Sequence, residues 1–405
     1  MMLLNLAWRN VWRNKRRSII ILISVAVGVV ATVLMDTLSR GMVYQMLENQ
    51  VGSHVSHIEI HRTGFNDNPV IQSTVPDAAA VEKALQNTPG IAHWSKRVLT
   101  YGLVSSATSS SGVQIVGIDP ESEQKVTTID RSLVEGRYLS GGPNEAVIGK
   151  SLAEKLNVGL GDRLVAMASA VDGHVGSDLF RVVGLFETVS SEFDKSNIYV
   201  SRANAQQMLG LGDRVSEFAM VLTDLNDLDQ IKESLQKQLG TEYEVLTYPE
   251  ILPTLVLMIE VTEQSMIIFY ALIGIALIFG IINTMLMAIF ERIHELGVLK
   301  AIGLLDRKLV AMVLWEAFFL GTIGTAVGFT LSYLIYLPLS QTGIDLTIFS
   351  DSLRSFGVGT TIYPVLTWGV IADALLVIPI IAVLGALYPA LRAARLGPVE
   401  AIRYV

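Results

Sequence analysis

Three stretches carry residue types that could do chemistry at a meaningful spacing. Gly149-Lys150-Ser151 reads like the end of a phosphate-binding loop, in which glycine N–H groups and a lysine cradle a nucleotide. That loop needs a glycine five residues earlier, and Asn144 stands there. His294-Glu295 opens like a zinc-protease helix, but the second metal-binding histidine would fall at Val298. His54, His57 and His61 could meet one metal ion on a helix. The run from 58 to 60 reads as strand, which turns alternate side chains to opposite faces, so three solvated histidines are expected. No nucleophile–base constellation stands beside these fragments, and a membrane enzyme is the weakest of the functional classes.

Composition removes further classes. With no cysteine among 405 residues, disulfides, thiol catalysis, cysteine-type zinc sites, haem attachment and thiol lipidation are excluded. A net charge of −8, with no Lys/Arg cluster outside the membrane flanks, gives nucleic acid nothing to bind. A hydrophobic content of 51% with 17% charged residues points to a membrane protein.

Two polar groups then stand out because of where they sit. Glu316 lies inside an apolar run, where a carboxylate is costly unless it faces protein or water, so it marks a helix–helix contact or a coupling network; Asn283 is a milder case. Between them, residues 291–303 interleave charge (Glu291, Arg292, Glu295, Lys300) with bulk (Ile293, Leu296, Val298, Leu299, Ile302). Gly303 ends this short amphipathic helix, whose mixed surface calls for a partner.

The elements that must position these residues are four membrane spans, since a bilayer core needs about 20 apolar residues. They are expected at 19–35, 265–290, 309–337 and 370–389. Arg9, Arg13, Lys15, Arg16 and Arg17 precede the first; Arg292, Lys300, Arg307 and Lys308 follow the second; Arg392, Arg395 and Arg403 follow the fourth. All three clusters place those ends, and both termini, in the cytoplasm. Residues 1–18, with Leu4, Trp8, Val11 and Trp12 on one stripe, are expected to form an interfacial helix. Residues 36–262 and 338–369 then face outward, and 390–405 form a cytoplasmic tail. The larger outer segment holds 29 acids and 17 bases, so the chain's acidity resides there.

Within 36–262, short β-rich runs alternate with short helical ones. Strands are expected near 58–61, 113–118, 163–168, 180–186, 197–200, 218–223 and 243–246, and helices at 77–87, 151–156, 202–209 and 225–239. The pattern is an α+β domain of two lobes, the second inserted at roughly 112–211, with 252–262 continuing as a stalk into the second span. Gly321, Gly324 and Gly328, and Ala382, Gly385 and Ala386, mark seams of close helix packing.

At this point a resemblance carries the meaning further. Glu291-Arg292-Ile293-His294-Glu295-Leu296-Gly297-Val298-Leu299-Lys300-Ala301-Ile302-Gly303 resembles the E-R-x-x-E-[IL]-G-[ILV]-L-[KR]-A-[IL]-G signature of the MacB/FtsX/LolC-LolE superfamily of ABC transporter permeases. Asn283 and Glu316 also stand at family positions. The ending Tyr388-Pro389-Ala390-Leu391-Arg392-Ala393-Ala394-Arg395, then Pro398-Val399-Glu400-Ala401-Ile402-Arg403-Tyr404, looks like the family's Y-P-x-x-x-A-A-x-x-x-P-x-E-A-[IL]-R close. Gly117-Ile118-Asp119-Pro120 and the region 136–162 resemble the external domain of MacB and LolC-LolE.

The resemblance implies an α-helical membrane protein with four transmembrane helices (1+3) and a large α+β extracytoplasmic domain of two lobes, like the MacB periplasmic core. MacB-type chains carry an N-terminal ATPase and FtsX-type chains a smaller domain, so the layout is similar to the lipoprotein-releasing LolC/LolE type of the bacterial inner membrane. It further implies a non-catalytic permease that binds no cofactor itself and works with a LolD-like ABC ATPase holding ATP and magnesium. Glu291, Arg292, Glu295, Leu296, Gly297, Leu299, Lys300 and Gly303 would form the coupling contact. A second permease copy or paralogue, a lipoprotein or other amphiphilic cargo, membrane lipid and a periplasmic chaperone or adaptor complete the implied partners. ATPase motion would be transmitted to the outer domain. The competing expectation is an FtsX-like signalling or scaffold protein that regulates a cell-wall hydrolase or a sensor.

Overall fold

In a computed structural model, residues 2–13, 15–355, 357–395 and 397 are described, apart from the side chains of Met2, Leu3, His54, Asp351 and Ser355. The residues 398–404 of the C-terminal motif lie outside the described residues. In chain order the elements begin with α1 (Met2–Arg13), α2 (Lys15–Gln50), β1 (Ile58–Arg62), α3 (Ala78–Asn87), β2 (Ile91–Ser105), β3 (Ser110–Ile118) and α4 (Pro120–Glu123). They continue with β4 (Leu133–Gly136), β5 (Glu145–Gly149), α5 (Lys150–Leu156), β6 (Arg163–Ser169), β7 (Val175–Phe186), α6 (Ser191–Ser196) and β8 (Asn197–Ser201). After α7 (Arg202–Leu209), β9 (Glu217–Leu222), α8 (Leu228–Leu239), β10 (Tyr243–Thr247) and α9 (Tyr248–Ile251), the chain enters α10 (Pro253–Glu291) and α11 (Ile293–Ala301). It closes with α12 (Asp306–Thr342), β11 (Ile344–Asp345), α13 (Ser350–Ser355), β12 (Thr361–Ile362) and α14 (Trp368–Ala394).

Two compact units emerge: residues 1–43 with 258–345 and 361–405, and residues 44–257 with 346–360. In the first, α2, α10, α12 and α14 are long and apolar enough to cross a membrane. Each is longer than its apolar run, because a helix once nucleated propagates through any residues that do not break it. The segment 338–369, expected as a loop, carries the α12 C-terminus, the antiparallel pair β11–β12 and α13.

Small residues set the packing of this bundle. A Cβ on Gly324 or Gly328 of α12 would come within 2.8 Å of Val25 or 2.7 Å of Val29 on α2, and one on Gly321 within 2.8 Å of Ala382 on α14. The glycine seams therefore bring together helices of one chain, where close backbone approach replaces the hydrophobic drive that lipid removes. Helix α1 turns Ala7 and Val11 into this core and leaves Trp8 and Trp12 exposed. The expected stripe of Leu4, Trp8, Val11 and Trp12 is thus split, with the tryptophans on the flank, Trp8 edge-on to Phe319 at 5.3 Å.

In the second unit, ten strands form one sheet in the order β10-β1-β9-β2-β3-β8-β5-β7-β4, with β6 bridging β2 and β7. Strand β2 joins the lobes: residues 91–97 pair with β9, and 98–105 pair with β3. The lobe boundary therefore falls inside a strand, upstream of the expected residue 112. Helices α3 and α8 cover the first lobe through Val81, Leu85, Ile231 and Leu235, and α5 and α7 contribute Leu152, Leu156 and Leu209 to the core of the second. Asp77 caps α3 by accepting hydrogen bonds from the N–H groups of Ala79 and Ala80 at 2.9 and 3.2 Å.

The phosphate-loop fragment has a structural explanation here. Gly149 closes β5 where a Cβ would lie 1.9 Å from the Asp194 carbonyl oxygen, so only glycine lets α6 approach. Lys150 pairs with Glu187 at 3.1 Å. Asp194 itself is buried and accepts from the Thr188 N–H at 3.1 Å and the Thr188 hydroxyl at 2.7 Å. Burial raises its pKa to about 6, against those hydrogen bonds. The folded state therefore holds this proton more tightly than the unfolded chain. The stabilisation is full below the ordinary value of 3.8 and fades as pH rises through 6. Thermal unfolding of Asp194→Asn is expected to lose the part of the wild-type pH dependence between those values; parallel curves for the two chains would contradict this.

Candidate coupling site

The amphipathic segment sits between two spans, and its helix is delimited by identifiable chemistry. Helix α10 ends at Glu291, Arg292 breaks the run, and α11 follows. At the far end the Leu304 N–H reaches the Leu299 carbonyl and the Gly303 N–H reaches the Lys300 carbonyl, both at 3.0 Å, with Gly303 at φ +100°. This pairing of the last free carbonyls requires a left-handed residue, which explains the glycine.

The charges expected to meet a partner are largely used inside the unit. Arg13 and Arg17, flanking the α1–α2 junction, pair with Glu295 and Glu291. Arg292 reaches Glu295 at 3.4 Å and Glu316 at 3.5 Å. Lys300 donates to the Ala394 carbonyl at the C-terminus of α14, at 2.6 Å, and pairs with Asp306 at 2.9 Å. A cation there complements the helix dipole. The hydrogen bond from Arg13 holds the Glu295 pKa below the usual carboxylate range. Leu296 and Gly297 are buried, and Leu299 packs on the membrane core.

What faces outward is a different set. His294, Glu295, Val298, Ala301 and Ile302 lie on one side of the helix and Leu305 extends it; Val298, Ile302 and Leu305 are 42%, 76% and 62% exposed. Of the eight residues expected at the contact, Glu291, Glu295 and Gly303 are exposed. Arg292, Leu296, Gly297, Leu299 and Lys300 turn inward and hold the helix on the bundle. Val298 and Ile302, read as part of the bulk of this helix, were left out of the expected contact, and Leu305 lies beyond the turn at Gly303 that ends the helix.

Glu316 is buried against Arg292 in a cluster with Met285, Ile289, Leu296 and Met312. This places it in a charge-paired contact between α12 and the α10–α11 corner. Asn283 is exposed on α10 and is not among the residues lining that cluster.

At the other end of the bundle, Asp36 accepts from the Tyr270 hydroxyl at 2.5 Å and from Arg40 at 3.0 Å. Beside this group a mainly apolar cavity of about 260 Å³ opens between α2, α10 and α14, lined by Val33, Gly274, Leu277 and Ala374 with the polar Thr32, Tyr270 and Asp373.

The histidines are corrected in the second unit. His57 Nδ1 accepts from the Leu222 N–H at 2.9 Å, and burial lowers its pKa. His61, expected in solvent, is 3% exposed and stacked on Phe65 with ring centroids 4.8 Å apart. The side chain of His54 lies outside the description.

Four spans, a glycine-sealed bundle, an interspan helix clasped by ion pairs and a two-lobed α/β domain define a membrane permease with an extracytoplasmic domain. Residues 18–238 match the MacB-like periplasmic core domain and residues 267–398 the FtsX-like permease C-terminal domain, so the chain belongs to the MacB/FtsX/LolC superfamily of ABC transporter permeases. It is 24% identical to an uncharacterized ABC transporter permease of Methanocaldococcus jannaschii over 99% of this chain and 97% of that protein. It is 23% identical to the lipoprotein-releasing system transmembrane protein LolC of Neisseria meningitidis, over 97% and 96% of the two chains. A macrolide export ATP-binding/permease protein MacB of Nitrobacter winogradskyi is 25% identical over 96% of this chain and 58% of its own length. The periplasmic region of MacB from Actinobacillus actinomycetemcomitans aligns with a TM-score of 0.36 at 17% identity, covering 52% of this chain and 96% of that one.

Proposed function

We propose that this chain is the membrane subunit of a transporter in which a separate ATPase docks on α11 and its closure is passed through α2 and α10 to the extracytoplasmic domain. The observation that carries this reading is the set of exposed apolar side chains at this end of the unit, Val298 on α11 and Ile302 and Leu305 in the turn that follows it, beside a helix whose other side is fixed by ion pairs. A rigid helix with one free apolar face fits a groove and transmits force, because its charges already tie α1, α12 and α14 together. The basic flanks support a cytoplasmic location for this end and for both termini.

The cargo proposed is a lipoprotein or another amphiphile of the outer leaflet. The cavity between α2, α10 and α14 is lined mainly by apolar side chains, with Asp373 and Tyr270 as its polar groups and Asp36 hydrogen-bonded to that tyrosine, a combination that suits an acyl chain beside a polar head group. A second permease copy or paralogue is proposed along α10. Its outer stripe of Ile268, Leu272, Ile275, Phe279 and Met287 also presents Asn283, whose carboxamide is costly in lipid and gains a partner across a helix pair.

Filling the cavity tests the cargo reading. In membrane vesicles supplied with ATP, Ala374→Trp is expected to keep ATPase association while lipoprotein release falls at least tenfold. Undiminished release would contradict a role for the cavity. Normal ATPase coupling to an external hydrolase, with no amphiphile leaving the membrane, would favour the FtsX-like reading.

A further inference from the structure

The second unit buries five ionisable side chains in one cluster, and nothing in the transport cycle above uses them. Glu59, His61, Arg97, Glu123 and Glu217 are 5%, 3%, 1%, 0% and 1% exposed. Strand register brings them together: Arg97 of β2 lies opposite Glu217 of β9, while Glu59 and His61 share one face of β1, the strand on the other side of β9.

The carboxylate oxygens are divided between two neighbours. Arg97 takes Glu217 Oε1 at 2.8 Å and faces Glu59 Oε1 at 4.0 Å. The other oxygens turn to His61 Nε2, with Glu59 Oε2 at 3.1 Å and Glu217 Oε2 at 3.7 Å. Arg97 also binds Glu123 through Nε and Nη2, at 3.0 and 2.7 Å to Oε1. One nitrogen and two carboxylate oxygens therefore converge, all within 4.8 Å of one another, while Arg97 fixes the carboxylates from behind.

Charge points the same way. Arg97 balances Glu123, which leaves two buried carboxylates beside an imidazole. A proton on His61 would leave one negative charge over; a divalent cation leaves none, and buried charge persists only when it is compensated. The half-buried Glu244 adds to the negative field around His61.

We propose that Glu59, His61 and Glu217 bind one divalent metal ion of the zinc class, which clamps β1 to β9 inside the extracytoplasmic domain. Zinc accepts this mixed nitrogen and oxygen set, and three protein ligands leave one position open, as in zinc sites whose fourth ligand is water. The chain has no cysteine to compete for it.

The test uses the full-length chain in detergent, stripped with chelator, loaded with zinc chloride at pH 7.5, desalted and assayed for metal by mass spectrometry. About one equivalent per chain is expected, with a higher thermal unfolding midpoint than the stripped chain. His61→Gln and Glu59→Gln should each lose retained zinc at least tenfold, while His174→Gln, on an exposed turn, keeps it. Should the cluster variants fail to fold, cobalt(II) added to the stripped wild type decides. Visible bands distinct from those of the aqueous ion support the site. A spectrum identical to the aqueous ion, no retained zinc, or equal zinc in wild type and His61→Gln would overturn it and leave His61 as a protonated rung of an ion-pair ladder.

Discussion

Arg97→Met is expected to destabilise the extracytoplasmic domain by about 3–5 kcal/mol, the cost of removing one partner from a buried ion pair. Most of that cost is the charge left behind. Glu123 is fully buried and receives the guanidinium through two nitrogens, and Glu217 receives its third. Without the arginine Glu123 loses its charged partner, and the Thr127 hydroxyl at 3.3 Å is a neutral donor that does not replace it. A domain has about 5–15 kcal/mol of stability in all, so the variant sits near the edge of folding. Trp94, packed on Phe218 at 5.8 Å, reports the loss by fluorescence during urea unfolding. Adding Glu123→Gln should recover part of it, because the partner charge is removed as well. A change below about 1 kcal/mol for Arg97→Met, the scale of an exposed pair, would show that the cluster is hydrated and not closed.

The second large effect is functional. Val298→Glu combined with Ile302→Glu is expected to lower stimulation of the partner ATPase and cargo release at least tenfold while the permease still folds. Val298 on α11 and Ile302 at its C-cap are exposed and absent from the bundle core, so on the proposed reading a charge there meets the docking partner. Placing two carboxylates in a desolvated apolar contact costs several kcal/mol. Glu295→Lys, the substitution the sequence pattern invites, is a poorer probe. Glu295 is clasped by Arg13 and Arg292, so reversing its charge pushes α1 away from α11 and disturbs the permease itself. Unchanged ATPase stimulation in the Val298/Ile302 double variant would place the docking surface elsewhere.

These cases show what the chain discloses before folding. The spans were legible because an apolar run of bilayer length has few alternatives, and the short helix α11 because a periodic amphipathic stretch runs up to Gly303. Which face of that helix points outward was not legible. Leu296, Leu299, Val298 and Ile302 are equally apolar, and only the packing of α1, α12 and α14 decides which are covered. Strand β2 was hidden by its own chemistry: Arg97 turned inward reads as a loop, since a buried guanidinium becomes acceptable only when Glu123 and Glu217, distant in sequence, arrive beside it. His61 was misplaced in solvent because only Glu59 of its carboxylate neighbours is near in sequence, while Glu217 arrives from another strand. Gly149-Lys150-Ser151 mimicked a nucleotide loop because a glycine that admits a phosphate and one that admits the Asp194 carbonyl look identical in sequence.

The central claim, that α11 is where an ATPase docks, is tested most directly by cross-linking at its outward face. Because the chain has no cysteine, Ile302→Cys creates a single thiol, and a short thiol-directed photo-cross-linker can be attached to it in native membranes. The account predicts one dominant adduct, a P-loop ATPase, captured from position 302 but not from a cysteine at Val175, which is exposed on the extracytoplasmic domain. A folded Ile302→Cys permease that captures no ATPase, or only lipid, would contradict it.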